Sequence, residues 1–240
     1  MPFKKSSNKK DMITLVSRET VFAQHKNIAT EISEMQKAFY DEDYLALCDN
    51  EQERKAYLDL FDIKDLSFPK INTSYKVTAI DHDELKTYTK TLADRLKKLF
   101  LATGIESFFV MAHLNTAFIG NTDNKYPPLQ KAFKKFQNIT GDINYNEVIS
   151  IDMDDLGDLV DIAFWIARCD ASAPEYTFFH DAADRLSFNI CKHGNIHLLE
   201  YEKEILPHDL LQQFGWLVMD NRCYDKFTTD GRIKGRRIKI

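Results

Sequence analysis

Glycine and proline are scarce in this chain, with 8 and 6 among 240 residues, which excludes collagen-like and low-complexity classes. Cysteine is equally sparse. Cys48, Cys169, Cys191 and Cys223 are far apart and never form a CxxC pair, so zinc-ribbon and thioredoxin-like arrangements fail and reduced thiols are expected. Cys169 and Cys191 lie in apolar segments, where buried, inert sulfur is the usual state. No run approaches the ~18 apolar residues of a membrane helix, and the leading MPFKKSSNKK has charge with no apolar stretch behind it. Neither a membrane span nor a secretory signal is expected, and the cytoplasm is the expected location. Glycine-rich phosphate loops are missing too. GIES at Gly104, GNTD at Gly120, GDIN at Gly141 and GDLV at Gly157 have neither the GxGxxG nor the GxxxxGKS spacing, so nucleotide binding by those devices is excluded. GxSxG and HExxH are also absent, which leaves no recognisable nucleophile or zinc motif.

What is present is an ordinary globular composition, 44% hydrophobic and 29% charged, in a chain long enough to bury a core without metals or disulfides. The 17 Phe and 10 Tyr point to aromatic-rich packing. Charge is uneven. Residues 1–10 carry Lys4, Lys5, Lys9 and Lys10, and residues 231–240 carry Arg232, Lys234, Arg236, Arg237 and Lys239, with no acid in either segment. Removing those nine cations from the net of −5 leaves −14 for residues 11–230. Such an acidic body argues against a broad nucleic-acid surface and suits a basic protein partner; plain solubility is the alternative use of the charge. Nucleic-acid contact is expected only weakly, through 231–240, because no aromatic platform adjoins that segment.

The spacing of Ile28, Ile32, Met35 and Phe39 predicts one amphipathic helix from Thr20 to about Tyr40. A second is expected from Glu51 to Phe61, with Tyr57, Leu58 and Phe61 inward. Pro69 marks the one candidate hinge. KVTAI at 76–80 reads as a strand, and Asp81 with Glu84 reads as a capping box for a helix carrying Leu85, Tyr88, Leu92, Leu96 and Leu99 up to Gly104. ESFFVMAH at 106–113 reads as a strand with AFIG at 117–120 as its hairpin partner. Pro127 and Pro128 open a helix that Gly141 closes. NEVISID at 146–152 is a strand, and Asp154 is expected to cap an all-round apolar helix reaching Arg168. DLLQQFGWLV, from Asp209, reads as a last helix interrupted by Gly215.

Residues 175–204 read as three strands, 176–180, 185–191 and 196–201, with a turn at Lys192-His193-Gly194-Asn195. The hairpin over 185–201 must be antiparallel. A two- or four-residue loop puts His197 on the face of Leu186, Phe188 and Ile190; a three-residue loop puts it with Ser187, Asn189 and Cys191. The even loop is the commoner connection and is the expected one. The fold expected is α+β, a mixed or antiparallel sheet including the 185–201 hairpin, covered by amphipathic helices, with a helical N-terminal part. Residues 1–12 are expected to be a basic flexible arm, 13–230 one domain with 13–68 as an optional helical subdomain, and 231–240 a basic tail or edge strand.

His180 with Asp181 ends one strand and His113 ends another, so these three are the catalytic candidates, as a base and its orienting acid. If the 146–152 strand is a neighbour, Asp152 and Asp154 join His113 and His180 at one sheet rim as candidate ligands for a divalent metal. The spacing does not force them together. Capping of a helix dipole is the plainer role for the Asp152–Asp155 knuckle, which lacks an EF-hand's glycine and terminal glutamate. The function expected from these features is a non-enzymatic cytoplasmic protein-interaction module, which neutralises or regulates a basic partner as immunity-type proteins do. The alternative is a metal-assisted hydrolase or nuclease built on the Asp/His rim. No cofactor is expected outside that alternative.

Overall fold

The computed structural model, which describes residues 13–219 apart from Asp83, begins with β1 (Thr14–Val16) and four helices, α1 (Arg18–Gln24), α2 (Lys26–Phe39), α3 (Glu42–Leu47) and α4 (Glu51–Leu58). Strand β2 (Thr73–Ile80), helix α5 (Leu85–Ala102), β3 (Ser107–Ala112), α6 (Pro127–Thr140), β4 (Val148–Asp152) and α7 (Leu156–Cys169) follow. Three strands then run in succession, β5 (Thr177–Asp181), β6 (Leu186–Ile190) and β7 (Ile196–Tyr201), before α8 (His208–Gln213) and β8 (Trp216–Met219). All eight strands pair antiparallel in the order β1-β4-β3-β5-β6-β7-β2-β8. The architecture is therefore α+β with an antiparallel sheet, as its sequence pattern implies. The arm expected at 1–12 and the tail at 231–240 lie outside the described residues.

Helices cover both faces of the sheet. Phe108, Val110, Phe179, Phe188 and Leu198 bury one face against α5, α6 and α7, while Met111, Val148 and Phe178 bury the other against Ile28, Ala29 and Ile32 of α2. Ten of the fourteen residues of α7 are buried, because α7 lies against α5, α6 and strand β6 together. That position explains its nearly uniform apolar sequence. Pro127 and Pro128 occupy the first positions of α6 and Gly141 closes it at φ 73°, a left-handed conformation that glycine adopts without a Cβ penalty.

Several local expectations give way to tertiary demands. The 20–40 stretch is two helices, since His25 is extended at φ −123° and ψ 94° between α1 and α2. In α4, Leu58 is exposed rather than inward, and only the following Phe61 is buried. The Asp81–Glu84 box does not form. Ile80 still pairs with Trp216, and α5 starts only at Leu85, where Glu84 accepts from Thr87 Oγ1 at 2.8 Å. AFIG is not a strand, because β3 already has β4 and β5 on its two edges. Asp154 does not cap α7, whose cap position is Asp155; its carboxylate accepts from Lys97 Nζ at 2.6 Å. Gly215, at φ 75°, ends α8, and the chain enters β8 with Trp216 buried.

The hairpin loop is odd. Asn189 pairs with His197 and Ile190 with Ile196, and Cys191 N donates to Asn195 O at 3.0 Å, leaving Lys192-His193-Gly194 as a three-residue loop. Gly194 sits at φ 84°, the left-handed third position that such loops require. His197 accordingly shares the α2 face with Ser187 and Asn189, not with Leu186, Phe188 and Ile190.

The turn between β5 and β6 holds α2 in place. Asp184, itself at φ 59°, accepts from the backbone N–H groups of Asn27 and Ile28, both at 3.0 Å, while Asn27 Nδ2 donates to Asp184 O at 2.9 Å. His25, the cap residue by position, makes no such bond. A carboxylate distant in sequence thus satisfies the orphan amides of the first turn. Asp184→Ala is expected to lower stability by about 1–2 kcal/mol, with Asp184→Asn losing less because it keeps an acceptor and tolerates positive φ. Urea unfolding checks this, and an alanine variant as stable as the parent sinks it.

Candidate functional site

His180 lies at the centre of the sheet, paired with Ser187 on β6 and Phe109 on β3. Its ring faces α2 and is fully buried. Glu31 of α2 comes down onto the same spot, accepting from Ser187 Oγ at 2.8 Å and from the Tyr201 hydroxyl. His180 Nδ1 is 3.3 Å from the Tyr201 hydroxyl and 3.4 Å from Glu31 Oε2, and His180 Nε2 has no hydrogen-bond partner among the described residues. Burial dominates the acid–base behaviour. It pushes the Glu31 carboxyl up to about 7 against the pull of Tyr201 and Ser187, and it holds the His180 imidazole down to about 3, helped by Arg18 and His25. At neutral pH the imidazole is uncharged, so its contact with Glu31 is not an ion pair.

The other candidates go elsewhere. His113 is buried beyond the end of β3, packed against Phe39 and Tyr176, and burial holds it down to about 4. Its backbone N–H donates to Tyr176 O, whereas His180 faces Phe109, four residues away. That offset corresponds to about 13 Å along a strand. Asp181 accepts from Arg185 Nε at 2.5 Å and from Ala183 N at 3.2 Å, so it shapes the β5–β6 turn. Asp152 pairs with Ser107 two strands from β5, roughly 10 Å across the sheet, and its Oδ1 accepts from Asp154 N. Asp154 is exposed on Lys97. His113, His180, Asp152 and Asp154 therefore do not share a coordination shell, and among the described residues no group of three or more His, Cys, Asp or Glu could hold a metal ion. Cys169 is buried and Cys191 half-buried.

Three residues beside His180 escape motif reading: Glu31, Ser187 and Tyr201. The signal for Glu31 is its position three residues after Ile28 and four before Met35, a carboxylate inside an apolar stripe. Beyond this cluster the α2 face opens into a cleft of about 860 Å³ lined by α2, residues 68–73 and strands β2, β5, β6 and β7. At its outer part His197 Nδ1 meets the Tyr75 hydroxyl at 2.5 Å, and burial lowers the basicity of that imidazole. A wider groove of about 1100 Å³ runs over α5, α6 and α7, where Lys135 is held by Asp158 and Asp161, both at 2.8 Å.

A second unusual surface is the excursion formed by α3 and α4. Neither helix has a buried residue. Residues 41–59 contain seven acids against Arg54 and Lys55, and Tyr44, Leu47 and Leu58 are exposed, Leu47 to 77%. The excursion is anchored by aromatic contacts, Tyr44 to Tyr57 at 4.7 Å, Tyr57 to Phe61 at 5.1 Å and Tyr40 to Phe61 at 5.2 Å between ring centroids. No described helix is long and apolar enough to cross a membrane. The chain matches no protein-family model, no curated protein and no solved structure.

The Glu31 carboxyl gives a stability effect of definite sign. The folded protein keeps its proton up to about 7 and the unfolded chain only to its ordinary 4.5, so the folded state holds the extra proton between those values and stability falls as pH rises through them. His180 has the opposite sign, its contribution rising with pH from about 3 to its ordinary 6.5. Glu31→Gln removes only the first. Relative to the parent it is expected to gain roughly 3 kcal/mol between pH 4.5 and 7 and nothing further above. Urea unfolding across that range measures the difference, and a difference independent of pH would rule the assignment out.

Proposed function

We propose that this protein is a non-enzymatic interaction module whose α3–α4 excursion docks a basic partner protein. The observation that carries the reading is the combination on α3 and α4 of dense acid with exposed Tyr44, Leu47 and Leu58. Exposed apolar side chains rimmed by charge mark docking surfaces, and an acidic rim selects and steers a basic partner. Tyr44 packs one edge on Tyr57, but Leu47 and Leu58 serve neither core, since neither helix contributes a buried residue. The net of −14 over residues 11–230 adds a long-range field of the same sign. Neutralising or regulating a basic partner is the role that agrees with this chemistry. A reducing compartment such as the cytoplasm suits it, because Cys48 and Cys191 are free thiols.

Tagged protein recovered from its native cells should bring a basic partner in near-stoichiometric amount. The double variant Leu47→Ser with Leu58→Ser should lose that partner while changing stability by no more than about 0.5 kcal/mol, as exposed sites usually do. Recovery of the chain alone, or a partner that stays on the double variant, overturns the proposal.

A further inference from the structure

We propose that the cleft between α2 and the sheet binds a small, uncharged aromatic molecule bearing an edge with an adjacent hydrogen-bond donor and acceptor, the chemistry shared by nucleobases and their nucleosides. None of its lining residues belongs to α3 or α4, so the site is separate from the docking surface above.

Its shape suits a ligand of this size. A volume of about 860 Å³ falls within the range of small-molecule pockets. Phe178 and Leu199 line it from the sheet and Met35, Phe68 and Ile71 from the other side. Phe178 and Tyr176, whose rings lie 6.0 Å apart at 18°, both line the space and supply aromatic surface for a flat ring to pack on.

The polar groups are few, and one of them is unmatched. Asn189, on the central strand β6, lines the cleft and is only 5% exposed, yet its Oδ1 has no hydrogen-bond partner among the described residues. Buried amide oxygens are nearly always paired, because an unpaired one carries its full desolvation cost. Its cross-strand neighbour His197 is paired with Tyr75, and Ser187, two residues earlier, is paired with Glu31. Asn189 is thus the position where a partner from outside fits. A carboxamide offers one acceptor and two donors side by side, the complement of an edge carrying an adjacent donor and acceptor, as when asparagine reads adenine. The rim has one charge of each sign, Glu34 and Lys70, and the only deep acid is Glu31, already engaged by Ser187 and Tyr201. Nothing there selects an anion or a metal ion.

Calorimetric titration of the full chain with adenosine, guanosine, cytidine and uridine tests the site. At least one nucleoside should bind with Kd below about 1 mM, and ATP should bind at least ~10-fold more weakly, since the single lining cation, Lys70, is outweighed by Glu31 and Glu34 and three phosphates need more. Asn189→Leu, which keeps the branching at Cγ but has no hydrogen-bonding group, should weaken the nucleoside at least ~10-fold. Met35→Trp keeps Asn189, fills the space from α2 and should abolish binding, so the test survives if the leucine variant does not fold. Absence of binding by all four nucleosides, equal binding of ATP, or affinity unchanged in both variants overturns the proposal.

Discussion

The parity of one turn decides what chemistry this sheet presents. With three residues, Lys192-His193-Gly194, between Cys191 and Asn195, Ile196 and Leu198 join Leu186, Phe188 and Ile190 in the core beneath α5, α6 and α7. Ser187, Asn189, His197 and Leu199 are left to the α2 side, where they line the cleft. One residue more or fewer would exchange the two sets along β7. Burial of each apolar side chain is worth about 1.5–3 kcal/mol, so the core enforces the odd loop even though even loops are commoner. Gly194 makes it feasible by adopting the positive φ without strain.

The helical N-terminal layer depends on that sheet through a few buried polar anchors. Asp184, on the β5–β6 turn, holds the first turn of α2. At the other end of the layer, Arg18 donates to Asp62 Oδ2 at 2.5 Å and to Ala112 O at 2.8 Å, while Gln36 Nε2 donates to Asp62 Oδ1 and His113 O. A buried pair of this kind adds little net stability compared with apolar packing, but loss of one partner strands the other charge. These anchors therefore fix where α1, α2 and the 60–63 segment sit. That placement positions Glu31 over His180.

Much of the sheet was legible because alternation and apolar runs are local signals. VISID, FFVMA and the three strands after Pro174 all stand in the sequence, as do both boundaries of α6. The features that were not legible are those decided at a distance. Asp184 caps a helix about 157 residues away, which no spacing rule reaches. Asp81 and Glu84 have the spacing of a capping box, yet the pairing of Ile80 with Trp216 pulls them out of the helix. Trp216 itself continues a helical-looking run, and only the left-handed Gly215 and the free edge of β2 turn it into a strand. Candidate chemistry was the least legible. Histidines and aspartates near strand ends could be named, but which strand ends coincide is a property of register, and antiparallel pairing of β3 with β5 put His113 and His180 at opposite ends.

His180 and Glu31 have the outward marks of a catalytic dyad, a carboxyl raised to about 7 beside an imidazole that it nearly touches. Shifted groups do gather at active sites, but cause and access decide their meaning. Both shifts arise first from burial, which drives each group toward its neutral form. A base held down to about 3 is a poor proton acceptor at neutral pH, and a side chain sealed at 0% exposure presents nothing to a substrate. Neutral groups of this kind serve a different end: hydrogen bonds among Glu31, Ser187, Tyr201 and His180 have direction, whereas the surrounding aromatic contacts allow sliding. The cluster thereby sets the register of α2 over the sheet. The width of the cleft follows from that register, since Thr30, Glu31, Glu34 and Met35 of the same helix form one of its walls.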